Sequence, residues 1–253
     1  MNYHWNWKIF WQITPDGTDS YLSTLISGLG WTLSTAFCAW VIALVLGALV
    51  GTARTVPKRW LMRLGNAYVE IFRNIPLLVQ MFLWFFVLPE LLPRGLGDAI
   101  KQMPPPWAAW VPAVLCLGSY TSARVAEQVR SGIGSLSAGQ RMAGIALGLT
   151  LPQTYRYVLL PMAFRIILPP LGSEITNIIK NTSVAFTIGV MELTARTRAM
   201  QEFSFQVFEA FTAATIIYLL VNQVVLLCMR WLEKRVAVPG MIGSGAAVPV
   251  TGH

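Results

Sequence analysis

The stretch AGQRMAGIALGLTLPQTYRYVLLP, residues 138–161, decides how this chain is read. Small residues (Ala138, Gly139, Ala143, Gly144, Ala146, Gly148) crowd its first half, and Pro152 and Pro161 punctuate its second. The first half predicts a helix over 138–148, with Gly148 suited to a helix end or to a close backbone approach. Pro152 predicts the start of a second short helix reaching about Leu160, because a missing N–H is harmless in a first helical turn. Two readings of such a segment stand open. It is either an amphipathic linker lying among lipid headgroups or a docking element whose small side chains admit a partner's backbone. The surroundings decide between them.

Those surroundings are apolar. The chain has 253 residues, 55% of them hydrophobic and 12% charged, with a mean hydropathy of +0.57. Soluble domains carry about twice that charged fraction. A spanning helix needs about 20 mainly apolar residues, and five segments qualify as candidates: Leu25–Thr52, Ile75–Leu92, Trp107–Arg130, the run from Arg165 to Arg196, and Phe208–Met229. An odd number puts the two termini on opposite sides. Arg54, Lys58, Arg59, Arg63, Arg130, Arg141, Arg156, Arg165, Arg230, Lys234 and Arg235 fall on one side, against Lys8, Arg94, Lys101, Arg196 and Arg198 on the other. The positive-inside rule therefore predicts the N-terminus outside and the C-terminus in the cytoplasm, with 138–161 cytoplasmic.

The same composition bears on function. The net charge of +8 is placed to face anionic lipid, and no nucleic-acid partner is expected. Cys38, Cys116 and Cys228 lie in apolar runs and read as small buried hydrophobes, not as a disulfide framework. His4 and His253 stand near the ends, so no metal cluster is expected. A membrane enzyme would need a His, Asp or Cys constellation near one interface, and none is present. No G-x-x-x-x-G-K-[ST] occurs, so nucleotide phosphates are not cradled by this chain. No cleavable signal peptide is expected, because the first twenty residues lack a basic start followed by an apolar core. The Gly-rich end, GMIGSGAAVPVTGH, is expected to be disordered.

The opening stretch resembles the cytoplasmic loop of ATP-binding-cassette import permeases, which has a Glu-Ala-Ala start, a Gly four residues later and an Ile-x-Leu-Pro ending. The pattern falls on Met142, Ala143, Gly144, then Gly148, then Val158, Leu160 and Pro161. Met142 stands where the acidic residue is usual and Gly144 where the second Ala is. EIFRNIPLLVQ (70–80), SARVAEQVRSGI (122–133), LPQTYRYVLLPMAFR (151–165) and IIKNTSVAFTIGVMELT (178–194) are similar to the polar amino acid subfamily. The resemblance covers roughly residues 22–232 and is nearest to the glutamate/aspartate permeases of Gram-negative bacteria. It implies an all-α polytopic membrane protein of the type I importer fold in the bacterial inner membrane. Residues 1–21 would form a periplasmic segment, 22–232 the transmembrane domain and 233–253 a cytoplasmic tail. It also implies a second permease subunit, identical or similar, two ATPase subunits and a periplasmic amino-acid-binding protein. ATP and Mg would sit on the ATPases, with no cofactor on this chain. Residues 138–161 would be the coupling element, with Met142, Ala143, Gly144, Gly148 and Pro161 as its marked positions.

Ionisable residues inside a bilayer are functional candidates by default. Arg124 occupies the place where the subfamily pattern usually carries Tyr. Its guanidinium is a planar fork that can hold a carboxylate bidentately, which fits an acidic substrate. Two other readings stay open: pairing with Glu127 at i+3, or snorkelling toward Arg130, about 9 Å further along the axis. Lys180 lies about 22 Å from Arg165 along a straight helix, too deep for easy snorkelling. The run 165–196 would extend about 46 Å as one helix, so a break or strong tilt is needed, and KNTS at 180–183 is its most polar place. Such breaks expose backbone groups to substrate in transporters. A Glu174–Lys180 ion pair is the structural alternative. Thr121 and Ser122 are candidate hydroxyl donors beside Arg124, although such hydroxyls often bond their own helix.

Overall fold

The computed structural model describes residues 3–236. Within them the chain is helical, and one isolated antiparallel bridge, Ile13 to Ser20, is the sole extended pairing among the described residues. After a 3-10 turn at Trp7–Trp11, α1 (Tyr21–Ala53) begins at Ser20, whose side chain accepts from the Ser23 N–H. Then come α2 (Arg59–Asn74), α3 (Leu77–Phe82), α4 (Leu88–Leu91), α5 (Arg94–Lys101) and α6 (Trp107–Gly134). The second half comprises α7 (Ala138–Ala146), α8 (Leu151–Thr154), α9 (Leu160–Asn181), α10 (Leu193–Ser204) and α11 (Val207–Val236).

Among the described residues, three stretches are long and apolar enough to cross a membrane: α1, the continuous helical run Leu151–Ile188, and α11. The pair Arg59–Asn74 and Leu77–Leu91 makes a fourth if its 104° bend is counted within one span. The bend has a local cause. Pro76 disfavours the helical region for the residue before it, and Ile75 is extended at φ −88°, ψ 129°. α6 is long enough, but Arg124, Glu127, Gln128 and Arg130 in its second half keep it below the same standard of apolarity.

Two prolines are absorbed in one way. A helix-interior proline removes a backbone hydrogen bond and clashes with the carbonyl four residues earlier. Wide π-type turns at Leu83–Val87 and Tyr155–Leu159 end just before Leu88-Pro89 and Leu160-Pro161 and relieve that crowding. Pro161 therefore does not terminate the second loop helix near Leu160 as expected. The helix that starts at Leu151 continues through the π turn into α9.

The bundle is organised on α1 against α6. A Cβ at Gly47 would lie 2.5 Å from Val125, one at Gly51 2.7 Å from the Ala126 carbonyl, and one at Gly118 2.7 Å from Ile42. Absent side chains allow the close approach that drives helix association in lipid. Ala36, Ala39, Cys116, Leu117, Met81 and Ile178 form a core where α1, α3, α6 and α9 meet. Outside it, Ile26, Leu33, Phe37 and Val45 of α1 and Leu219, Leu220, Val224 and Leu227 of α11 are exposed, an apolar exterior suited to lipid. Of the three cysteines only Cys116 is buried; Cys38 is half-buried and Cys228 is exposed on α11. The N-terminal segment is clipped to the start of α11, where buried Glu209 accepts from the Tyr3 hydroxyl and from the Asn6 N–H at 2.7 Å. Residues 233–236 continue α11 as helix, and the remainder of the expected tail, 237–253, lies outside the described residues.

Candidate functional site

The candidate residues fall mainly at two polar clusters on α6 and at the loop that follows it. At the first, α6 presents Tyr120, Arg124 and Gln128 one turn apart, and α9 answers with Glu174. The Arg124 side chain is 42% exposed, and its Nη2 donates to the Tyr120 hydroxyl at 3.1 Å while the guanidinium lies over the Tyr120 ring. Its Nη1 is 3.8 Å from Glu174 Oε2, an ion pair without a direct hydrogen bond. Gln128 Nε2 donates to the other oxygen, Glu174 Oε1, at 3.3 Å. Glu174 Oε2 is buried and accepts no hydrogen bond among the described residues. Neither pairing entertained from the sequence occurs: Arg124 meets Glu174 and not Glu127, and Glu174 meets Arg124 and not Lys180.

Glu127 belongs to the second place, nearer the end of α6. Its Oε2 accepts from Arg54 Nη1 at 2.7 Å and lies 4.0 Å from Arg73 Nη1, while Oε1 accepts from Arg130 Nε at 3.1 Å. Arg54 also donates to Asn66 Oδ1 at 2.8 Å. One carboxylate thus ties together the end of α1, α2 and α6. Of these arginines, Arg54 is the most enclosed, with its side chain 10% exposed. The sequence marked Arg54 only as one of the basic residues fixing orientation.

Thr121 and Ser122 are both buried, and Ser122 is occupied: its hydroxyl shares a 2.6 Å hydrogen bond with the Tyr68 hydroxyl and donates to the Ser119 carbonyl at 2.6 Å. Lys180 stands exposed in the last turn of α9 and forms no ion pair among the described residues. Just beyond it the helix changes type at KNTS. Thr182 and Ser183 hydroxyls donate to the Ile179 and Lys180 carbonyls, each at 2.7 Å, and 3-10 turns run over Thr182–Ile188 until Gly189 stops them at φ 96°. These donations satisfy the terminal carbonyls that an α-helix leaves free.

Glu192 went unmarked in the sequence. It is fully buried at the start of α10, where its carboxylate accepts from Thr194 N at 2.9 Å, Ala195 N at 2.8 Å and the Tyr218 hydroxyl at 3.0 Å. An acidic N-cap is stabilised by exposed amides and the helix dipole. The signal was its place three residues after Gly189, at the head of a new helix.

The third place is the loop. α7 exposes Met142, Ala143 and Ile145, with Leu147 following, while Gly144 alone is buried. A Cβ at Gly144 would sit 2.9 Å from Thr154 Cγ2, so glycine lets α7 fold against α8. Gly148 has φ +80° and open space around it. Its requirement is conformational, a left-handed helix end, and not close approach. Thr150 and Gln153 form a capping box at the head of α8, with Gln153 Oε1 accepting from Thr150 N at 2.8 Å. Pro161 is exposed at the beginning of α9.

This arrangement can be compared with known proteins. The family described as binding-protein-dependent transport system inner membrane component matches residues 22–238. The chain belongs to that family. It is a non-catalytic, multi-pass component of the inner membrane. Among its relatives, the glutamate/aspartate import permease protein GltJ of Escherichia coli strain K12 is 46% identical over 96% of this chain and 99% of its own. The glutamine transport system permease protein GlnP of the same strain is 33% identical over 92% and 98%. A solved structure described as an amino acid ABC transporter with histidines superposes with a TM-score of 0.71, at 29% identity, over 85% of this permease and 95% of that chain. The inward-facing MetNI methionine ABC transporter, at 20% identity and a TM-score of 0.70, shares the fold.

Proposed function

We propose that this permease is the membrane-spanning subunit of an ATP-driven importer of acidic amino acids, glutamate and aspartate. The observation that carries the substrate class is Arg124. An exposed guanidinium halfway along α6, held by Tyr120 and only loosely matched by Glu174, has donors left for a further carboxylate. Similarity to a glutamate/aspartate permease over nearly the whole chain supports the same class. Lys180, exposed a turn before the change of helix type, is the second cation the pathway offers.

In this reading α6 is the fifth span, the N-terminus is periplasmic and the C-terminus cytoplasmic. The permease works as a dimer with itself or a similar subunit, above two ATPases that hold ATP and Mg and below a periplasmic binding protein. α7 offers Met142, Ile145 and Leu147 to the ATPase, on a loop whose shape is fixed by Gly144 and Gly148. Because the helix beginning at Leu151 runs without interruption into α9, a push on the loop is delivered to Glu174 and Lys180 at the far end of that helix. That is the lever for alternating access.

The test is reconstitution. The permease, assembled in proteoliposomes with its ATPase and binding protein, should hydrolyse ATP faster with glutamate or aspartate than with glutamine. Equal or better stimulation by glutamine would move the assignment to the class of the glutamine permease relative.

A further inference from the structure

At the end of the bundle where α1 begins, residues 14–16 edge a half-open cavity of about 170 Å³. Its lining includes Thr14, Asp16, Tyr21, Thr24, Arg196 and Phe203. None of these belongs to the groups around Arg124, Glu127 or the loop. Arg196 reaches the cavity because Gly28 makes room for it: a Cβ at Gly28 would lie 2.9 Å from Arg196 Cγ. The Arg196 Nε is buried and donates to nothing among the described residues, and no carboxylate among them forms an ion pair with the guanidinium. Asp16 lines the same space, its carboxylate accepting from the Thr14 hydroxyl, and it does not spend its charge on Arg196.

A cavity with an unpaired guanidinium in its wall and an exposed carboxylate, Asp16, at its rim selects among solutes. An apolar molecule would leave a buried donor unmet, which is costly. A simple anion would meet Arg196 and be repelled by Asp16. A small solute carrying both charges meets both, and the oxygens of Thr14 and Thr24, whose own protons go to Asp16 or the Asp19 carbonyl and to the Tyr21 carbonyl, can accept from its ammonium, as can the Tyr21 hydroxyl. We propose that this cavity binds the zwitterionic head of an α-amino acid, carboxylate on Arg196 and ammonium on Asp16, as a site separate from Arg124. Its position at the outer mouth rests on the orientation proposed above; its chemistry does not.

The experiment uses the full chain in lipid nanodiscs without a binding protein, with radiolabelled glycine and alanine as probes. These amino acids lack the side-chain carboxylate that the acidic-substrate reading assigns to Arg124. Wild type should bind both, and acetate, which lacks the ammonium, should compete poorly. Arg196→Gln and Asp16→Asn should each weaken binding about tenfold or more, the loss of one charge-assisted contact. Arg196→Lys keeps the charge and most of the stem over Gly28, and should bind better than Arg196→Gln, which separates lost recognition from lost folding. No glycine binding to well-folded wild type, binding indifferent to both substitutions, or acetate competing as well as glycine would each overturn the site. A permease that proved to import a neutral amino acid would defeat the acidic-substrate reading and leave this one standing.

Discussion

Arg124 and Glu174 face each other across the α6–α9 contact with 3.8 Å between Nη1 and Oε2. The pair is half-made. Gln128 holds one carboxylate oxygen, and the other is buried without a hydrogen bond. A guanidinium whose partner is this poorly engaged keeps donors for a second carboxylate, and a buried carboxylate oxygen this poorly satisfied is a cost the fold carries.

Arg124→Tyr should reduce glutamate and aspartate uptake by at least about tenfold, since a charge-assisted hydrogen bond contributes roughly 1.5–3 kcal/mol. It should also lower the melting temperature, because Glu174 loses its cation. Adding Glu174→Gln removes that stranded charge. If Arg124 contacts substrate, the double variant regains stability and not uptake. Recovery of both would leave Arg124 as a partner for Glu174 and nothing more.

The loop makes a sharper demand at Gly148. Its φ of +80° costs a β-branched residue about 1–2 kcal/mol, while Asn tolerates that region. Gly148→Val should cut substrate-stimulated ATP hydrolysis by about fivefold or more with membrane insertion intact, and Gly148→Asn should stay near wild type. Equal activity in both would remove the loop's shape from the coupling argument.

Much of this was legible in the sequence because it is local. The α7 helix and a helix end at Gly148 follow from residues within a few positions of one another, whereas the break expected at KNTS is not one: the helical run goes on in 3-10 turns to Ile188 and stops at Gly189. What was not legible depends on distance along the chain. Arg54 finds Glu127 across 73 residues, whereas sequence reasoning offered Glu127 only Arg124, three residues before it. Pro161 misled for a different reason: a proline rule assumes a regular helix, and the π turn before it supplies the space that a regular helix lacks. α2 also escaped notice, since its exposed faces mix Trp60, Leu64 and Ile71 with Arg59, Arg63 and Arg73 and its buried side is only Gly65 and Val69.

Orientation is testable at exposed positions. In a background without native cysteines, Thr18→Cys should react with a membrane-impermeant thiol reagent added outside, and Lys58→Cys only after the cytoplasmic face is opened. The two sites flank α1, so labelling from one side would mean that α1 does not cross.

The last prediction concerns stability and turns on burial. Glu127 accepts from Arg54 and from Arg130, yet the two arginines differ in surroundings: the Arg54 side chain is 10% exposed and that of Arg130 is 46% exposed. An exposed pair contributes about 0–1 kcal/mol, because water screens it and each ion is solvated without the other. Removing one member of an enclosed pair leaves a charge with neither partner nor water, at roughly 3–5 kcal/mol. Arg130→Ala should therefore shift the unfolding midpoint little. Glu127→Gln should shift it strongly, because Arg54 then keeps only neutral acceptors, Asn66 at 2.8 Å among them, and no carboxylate. Arg54→Ala should fall between them, since Glu127 keeps Arg130. The order Arg130, Arg54, Glu127 in denaturant or thermal midpoints checks the claim that one carboxylate, paired to the enclosed Arg54, fastens α1, α2 and α6. Equal effects from Arg130→Ala and Glu127→Gln would show that the cluster is a solvated surface network with no fastening role.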